Sequence, residues 1–99
     1  MVYIVSNTIT FKSIEKKTFF ISYVKQINLI EDLNKNDSCI NLEIYEPNDY
    51  SNIIIYFEKW NKKEDYLEMV KNRLDLKFIE KNKEDYLESE ILKEFNKLF

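Results

Sequence analysis

Glycine and histidine are absent from these 99 residues, and cysteine, proline and tryptophan each occur once. Without glycine, no loop can bring its backbone close around a phosphate, so Walker and dinucleotide-binding motifs are excluded. Without histidine, Ser-His-Asp and Cys-His catalysis, His-bearing zinc sites and imidazole-ligated heme are excluded as well. A lone cysteine forms no internal disulfide, which fits a reducing compartment. No apolar run is longer than that of Ile53 to Phe57, far short of the roughly 20 residues that cross a bilayer. Val2-Tyr3-Ile4-Val5 follows Met1 directly, with no basic segment of the kind that opens a signal peptide. The expected location is the cytoplasm.

The charge that is present has little polarity. Fifteen basic and 18 acidic residues give a net charge of −3, and lysines alternate with acids. No basic stripe forms, so neither nucleic acid nor an anionic membrane is expected as partner. The 44% apolar and 15% aromatic content is that of a globular chain. A chain this long buries roughly 60–70% of its unfolded surface as one domain, 1–99.

The period of the apolar residues changes along the chain. Tyr3, Val5, Asn7, Ile9 and Phe11 share one face of a first strand. From Ile14 to about Asn34 the spacing Phe20, Tyr23/Val24, Ile27, Ile30 predicts an amphipathic helix of about five turns. Ile40, Leu42 and Ile44 alternate with Asn41, Glu43 and Tyr45, a turn cluster Pro47-Asn48-Asp49 follows, and Ile53 to Trp60 reads as a third strand. Asn61 with Glu64 three residues on predicts a capping box opening the next helix. Asp75 to Lys81 continues or bends that helix. Leu87, Ile91, Phe95 and Phe99 recur at i, i+4 as in a helix, yet Ile91-Lys93-Phe95 also alternates as a short edge strand does. KEDYLE occurs at Lys63–Glu68 and again at Lys83–Glu88, which reads as two helix starts drawn from one restricted alphabet. The order strand, helix, hairpin, helix, strand is that of an α+β, ferredoxin-like βαββαβ plait. Two helices cover one sheet face. The other face, apolar on the Ile53–Phe57 strand, needs a second cover, and the simplest is a second copy of the chain packed sheet to sheet, a homodimer.

The segment CINLEIYEPND…NIIIYFEKWNKKEDYLEMV resembles the antibiotic biosynthesis monooxygenase (ABM) family of dimeric α+β barrels. Cys39, Glu43-Ile44-Tyr45, Glu58, Trp60 and Asn61–Tyr66 stand where that family's pattern has a second-strand opening, an alternating "ELY" segment, a "V-x-x-E-x-W" strand end and a helix start. The resemblance covers essentially the whole chain and implies a last strand at about Ile91–Leu98. It also implies a monooxygenase, cofactor-independent, acting on a small aromatic or quinol-like molecule between sheet and helices. The alternative on the same fold is a non-catalytic dimeric module that binds a ligand or only itself. In the heme-degrading branch an Asn-x-(hydrophobic)-Thr setting lines the pocket, and Asn7-Thr8-Ile9-Thr10 matches it. That branch's tryptophan position falls near Met69 and its proximal histidine has no counterpart, so no cofactor and no metal are expected.

Asn7 also stands out on its residues alone, as an amide in mid-strand on an otherwise apolar face. A buried amide left unpaired costs about 1–3 kcal/mol. It is therefore either bonded to a neighbour as a structural device, or turned to a cavity where it orients a substrate oxygen or dioxygen. Tyr23 and Tyr66 are the preferred hydroxyl donors beside it, ahead of Tyr3, Tyr45 and Tyr56; each also reads as plain packing. Trp60 is either a wall that stacks on an aromatic ligand or the filler of the strand–helix corner. Met69 completes the substrate-binding candidates. Cys39 reads as a small buried strand residue, and Glu58 beside Lys59 as a solvated or interface pair.

Overall fold

The computed structural model describes residues 2–99. The elements are β1 (Tyr3–Phe11), α1 (Ile14–Gln26), α2 (Leu29–Asn34), β2 (Cys39–Tyr45), β3 (Ile53–Trp60), α3 (Lys63–Val70), α4 (Leu74–Lys81), α5 (Lys83–Tyr86) and β4 (Leu87–Phe95). The strands form one antiparallel sheet in the order β2-β3-β1-β4. This is the ferredoxin-like α+β plait. Each crossover skips one strand, so β1 and β3 occupy the centre.

The two-residue period sets what each sheet face carries. Tyr3, Val5, Asn7 and Ile9 lie opposite Trp60, Glu58, Tyr56 and Ile54 and face the helices. Ile9, Ile54, Tyr56 and Trp60 form the core there with Phe20 of α1, Leu29 and Leu33 of α2 and Ile79 of α4. The opposite face carries Ile53, Ile55 and Phe57 of β3 beside Ile91 and Phe95 of β4. The Phe57 and Phe95 rings lie 5.7 Å apart, and Ile91, Phe95 and Tyr45 remain exposed.

Several local expectations are corrected. The five-turn helix is broken at Asn28, whose φ of 53° is left-handed. Asparagine tolerates that conformation best after glycine, and the break re-aims Leu29 and Leu33 into the core. Asn61 is not the cap of α3. Lys62 takes that place with no side-chain bond, while the Asn61 amide donates to the Asp37 carbonyl at 3.0 Å. Ile40 is exposed because the β2–β3 register shifts between Cys39 and Asn41, which buries Cys39 instead. The last strand begins at Leu87 and ends at Phe95, earlier than Ile91–Leu98. The two KEDYLE copies fold differently, one within α3 and one divided between α5 and β4.

Glu58 is neither solvated nor at an interface. Its side chain is buried and its Oε1 accepts from Arg73 Nη1 at 2.6 Å and from the Trp60 indole at 3.0 Å. Arg73, the sole arginine, is 3% exposed and also donates through Nε and Nη2 to the two oxygens of buried Asp75, at 3.2 and 2.8 Å. Its guanidinium lies 5.8 Å from the Tyr56 ring centre. Burial works against the cation, but its hydrogen bonds to Asp75 and the charge of Glu58 outweigh it and raise the arginine pKa. The network fixes the α3–α4 junction to the middle of the sheet. A second buried cation, Lys17 of α1, donates to the Ser51 carbonyl at 2.6 Å and pairs with Glu46 at 2.9 Å, holding the β2–β3 loop where Tyr50 adopts a φ of 55°.

Removing one member of a buried ion group leaves its partners uncompensated and costs about 3–5 kcal/mol. Arg73→Ala is therefore expected to lower the urea unfolding free energy by about that amount. A loss below about 1 kcal/mol, the range of exposed pairs, would show that the network does not hold the helices to the sheet.

Candidate functional site

The cleft that reaches Asn7 has a volume of about 350 Å³. Its sheet side is Asn7 of β1 with Glu90 and Leu92 of β4; its helix side is Tyr66 and Val70 of α3 with Leu76, Lys77, Ile79 and Glu80 of α4. Asn7 lies directly opposite Leu92 and diagonal to Glu90, which pairs with Ile9, so the three share one face. The Arg73 network, one strand over at Glu58, anchors the turn between the two helices that form the far wall.

The Asn7 amide is 6% exposed. Its Nδ2 donates to Glu90 Oε2 at 2.8 Å, whereas its Oδ1 is buried with no hydrogen-bond partner among the described residues. A buried acceptor in that state is a liability for folding and a ready contact for a ligand. Glu90 keeps 18% of its side chain exposed and its Oε1 lies 3.7 Å from Lys83 Nζ. The remaining lining is largely apolar, as small-molecule sites are.

Of the residues singled out in the sequence, the structure brings Asn7 and Tyr66 together on this cleft. Tyr66 packs its ring 5.2 Å from Tyr3 and 6.0 Å edge-on from Trp60. Burial, then the charge of Glu58, pushes its hydroxyl pKa up, so it remains a neutral donor. Tyr3 is pushed up to about 12, by burial and then by Glu94. Trp60 stands behind Tyr66, fully buried, its indole N–H committed to Glu58. Met69 lies outside the lining and accepts from the Asn36 amide at 3.2 Å through its sulfur. Tyr23 is on another surface, its ring tilted against that of Phe78 at 4.8 Å in a groove shared with Phe19, Leu74 and Tyr86. A third groove, between α1 and β2, is lined by Phe20, Ile21, Val24 and Ile44, and neither of the two unpaired buried polar atoms belongs to it.

Glu90 and Arg73 were not singled out by sequence reasoning. Glu90 needed the β1–β4 register to be placed beside Asn7; its one signal is equal parity with Leu92 in an alternating strand. Arg73 had a signal in being the sole arginine. The donor set of the cleft does not fit heme. It holds no histidine, cysteine or methionine, and its one phenol has a raised pKa, which disfavours the phenolate that binds iron. Among the described residues no three His, Cys, Asp or Glu side chains gather as a metal site, and no helix is long and apolar enough to cross a membrane.

If the Asn7 amide is kept for a ligand rather than for the fold, Asn7→Leu removes an unpaired acceptor while Glu90 turns to solvent. Its denaturation midpoint is expected to stay level or rise, by up to about 1–3 kcal/mol in stability. A loss of more than about 1 kcal/mol, the worth of a net favourable hydrogen bond, would mark the amide as a structural device.

No family model and no curated protein matches the sequence. Solved structures do match the fold. A candidate antibiotic biosynthesis monooxygenase of Bacteroides thetaiotaomicron superposes with a TM-score of 0.78 at 14% identity, over 99% of this chain and 90% of that one. One from Nitrosomonas europaea gives 0.76 at 13% identity, over 99% and 91%. A third structure, described as an antibiotic biosynthesis monooxygenase, gives 0.73 at 9% identity over the whole of both chains. At these identities the likeness is one of fold, and the fold is the one that proteins described as antibiotic biosynthesis monooxygenases adopt.

Proposed function

We propose that this chain is a cofactor-independent monooxygenase of the ABM type, oxidising a small aromatic, quinol-like molecule held at Asn7 between sheet and helices. The observation that carries the reading is the buried, unpaired Oδ1 of Asn7 in an otherwise largely apolar cleft. The aromatic body packs on Tyr66, Val70, Leu76 and Ile79. Its hydroxyl lies between Oδ1 and the Glu90 carboxylate, whose Oε2 is 2.8 Å from the amide nitrogen; Oδ1 orients the O–H and the carboxylate takes its proton. An electron-rich phenolate in a dry site can then give an electron to dioxygen without a cofactor, and Tyr66 supplies a donor for the developing oxygen anion. In the overall change a phenol whose para carbon carries hydrogen becomes a quinone. One oxygen atom enters the ring carbon, the other leaves as water, and the four electrons lost by the substrate reduce both.

The exposed sheet face supports assembly as a homodimer through sheet faces, the barrel arrangement of this plait. Ile53, Ile55 and Phe57 of β3 and Ile91 and Phe95 of β4 present apolar side chains on this face on either side of Ser6, Thr8 and Thr10 of β1, and a strand apolar on both faces is stable when both are covered. Light scattering at micromolar concentration is expected to give twice the 12.1 kDa chain mass, and Phe57→Asp to halve it. A monomeric wild type contradicts the arrangement.

Oxygen uptake tests the chemistry. With 1,5-dihydroxynaphthalene, the wild type is expected to consume one dioxygen per hydroxynaphthoquinone formed, and Asn7→Ala to lose about 100-fold through misplacement of the substrate. Unchanged uptake in Asn7→Ala removes Asn7 from the site. Saturable binding with no uptake in the wild type favours the non-catalytic ligand-binding module instead.

A further inference from the structure

The two ends of a carboxamide have opposite hydrogen-bonding sense, and at Asn7 the choice between them is made by one neighbour. Nδ2 donates to Glu90 Oε2 at 2.8 Å. Turning the amide over would set Oδ1 against a carboxylate oxygen, acceptor against acceptor. Glu90 therefore locks the amide with its carbonyl oxygen left over, buried and without a partner among the described residues. At the sheet side of the cleft, Asn7 Oδ1 and the Glu90 carboxylate thus form a wall of acceptors. The groups able to donate, the Tyr66 hydroxyl and the Lys77 ammonium, stand on the helices opposite. Charge around the cleft is balanced, Lys77 and Lys83 against Glu80 and Glu90, which favours a neutral ligand over an organic cation.

We propose that Glu90, by fixing the polarity of the Asn7 amide, makes this cleft selective for ligands that present a hydrogen-bond donor, a phenolic O–H, and selective against ethers and ketones that only accept. The proposal rests on the reading of the Asn7 cleft as the substrate site and states what that site discriminates. It has a consequence for turnover. A quinol-like substrate offers the donor the wall requires, and the quinone made from it by the four-electron oxidation with dioxygen has carbonyl oxygens there instead. Oxidation converts an accepted ligand into a repelled one, so product leaves without a moving lid. Sites that hydrogen-bond a substrate hydroxyl reject analogues lacking it far more strongly than apolar pockets reject a change of size.

Calorimetric binding of 1-naphthol, 1-methoxynaphthalene and 1-tetralone, measured without dioxygen, tests this with three ligands of one ring size. The wild type is expected to bind 1-naphthol at least tenfold more tightly than either of the others. In Glu90→Gln the new amide can accept as well as donate, the Asn7 amide is free to turn, and the preference is expected to fall at least threefold, chiefly through tighter binding of 1-tetralone. Asn7→Leu is expected to abolish it. Equal affinities in the wild type, a preference undiminished in Glu90→Gln, or no saturable binding of any of the three overturns the proposal. Because no dioxygen is present, a donor preference without oxygen uptake would fail the oxygenase reading alone. Oxygen uptake without the preference would fail this inference alone.

Discussion

The rest of the structure depends on Arg73 held between Glu58 and Asp75. It is the sole arginine and it sits at the junction of α3 and α4, reaching Glu58 near the end of the central strand β3 through a contact of 2.6 Å. Three buried charges are expensive to desolvate, and well-packed apolar residues often serve stability equally well. What the ions provide here is geometry. A guanidinium with five donors in a fixed fork engages one carboxylate with two nitrogens and another with a third, so the junction has one position relative to the sheet. The helix wall of the Asn7 cleft, from Tyr66 to Glu80, inherits that position.

Among the described residues two buried side-chain polar atoms remain unpaired, Asn7 Oδ1 and the Tyr56 hydroxyl, and their residues are cross-strand partners. The Tyr56 hydroxyl pKa is pushed well above its ordinary value, first by burial and then by the charge of Asp75. It stays neutral beneath the ion network and packs its ring against the guanidinium. Asn7 differs in lining a cleft. The same cross-strand level thus carries a structural phenol and an amide available for chemistry, and accessible space distinguishes them. Strain at Tyr50, forced into a left-handed turn in a chain without glycine, is offset by the Lys17 clasp on Ser51 and Glu46.

The sheet was legible because alternation over β1 and β3 is long and unbroken, and because Tyr3 to Phe11 placed Asn7 on the face it shares with Val5, Ile9 and Phe11 without knowledge of any partner. The long helix was misjudged because one asparagine at a left-handed φ preserves apolar spacing while changing direction. The last strand was ambiguous for an arithmetical reason. Residues four apart share a face in a helix and in a strand alike, so Leu87, Ile91 and Phe95 fit both. Tyr66 was legible as a residue near the start of a helix that follows β3. Trp60 was legible as the filler of the strand–helix corner, whereas Tyr23 and Met69 were equally plausible by type and their positions depended on helix angles that no local pattern encodes. Glu58 read as a solvated or interface charge beside Lys59, because Arg73, the partner that buries it, stands fifteen residues away and no local pattern joins the two. Glu90 was hidden for the same reason, since its meaning lies in the diagonal contact with Asn7.

The central claim is that the carbonyl end of the Asn7 amide awaits a donor from a ligand. The most direct measurement is a crystal structure of the protein soaked with 1-naphthol. The account predicts the hydroxyl oxygen within about 2.6–3.0 Å of Asn7 Oδ1, with the Nδ2–Glu90 bond intact and the rings between Tyr66 and Leu76. A ligand seated in the groove between α1 and β2, or bound in the cleft with its hydroxyl turned away from Asn7, would contradict it.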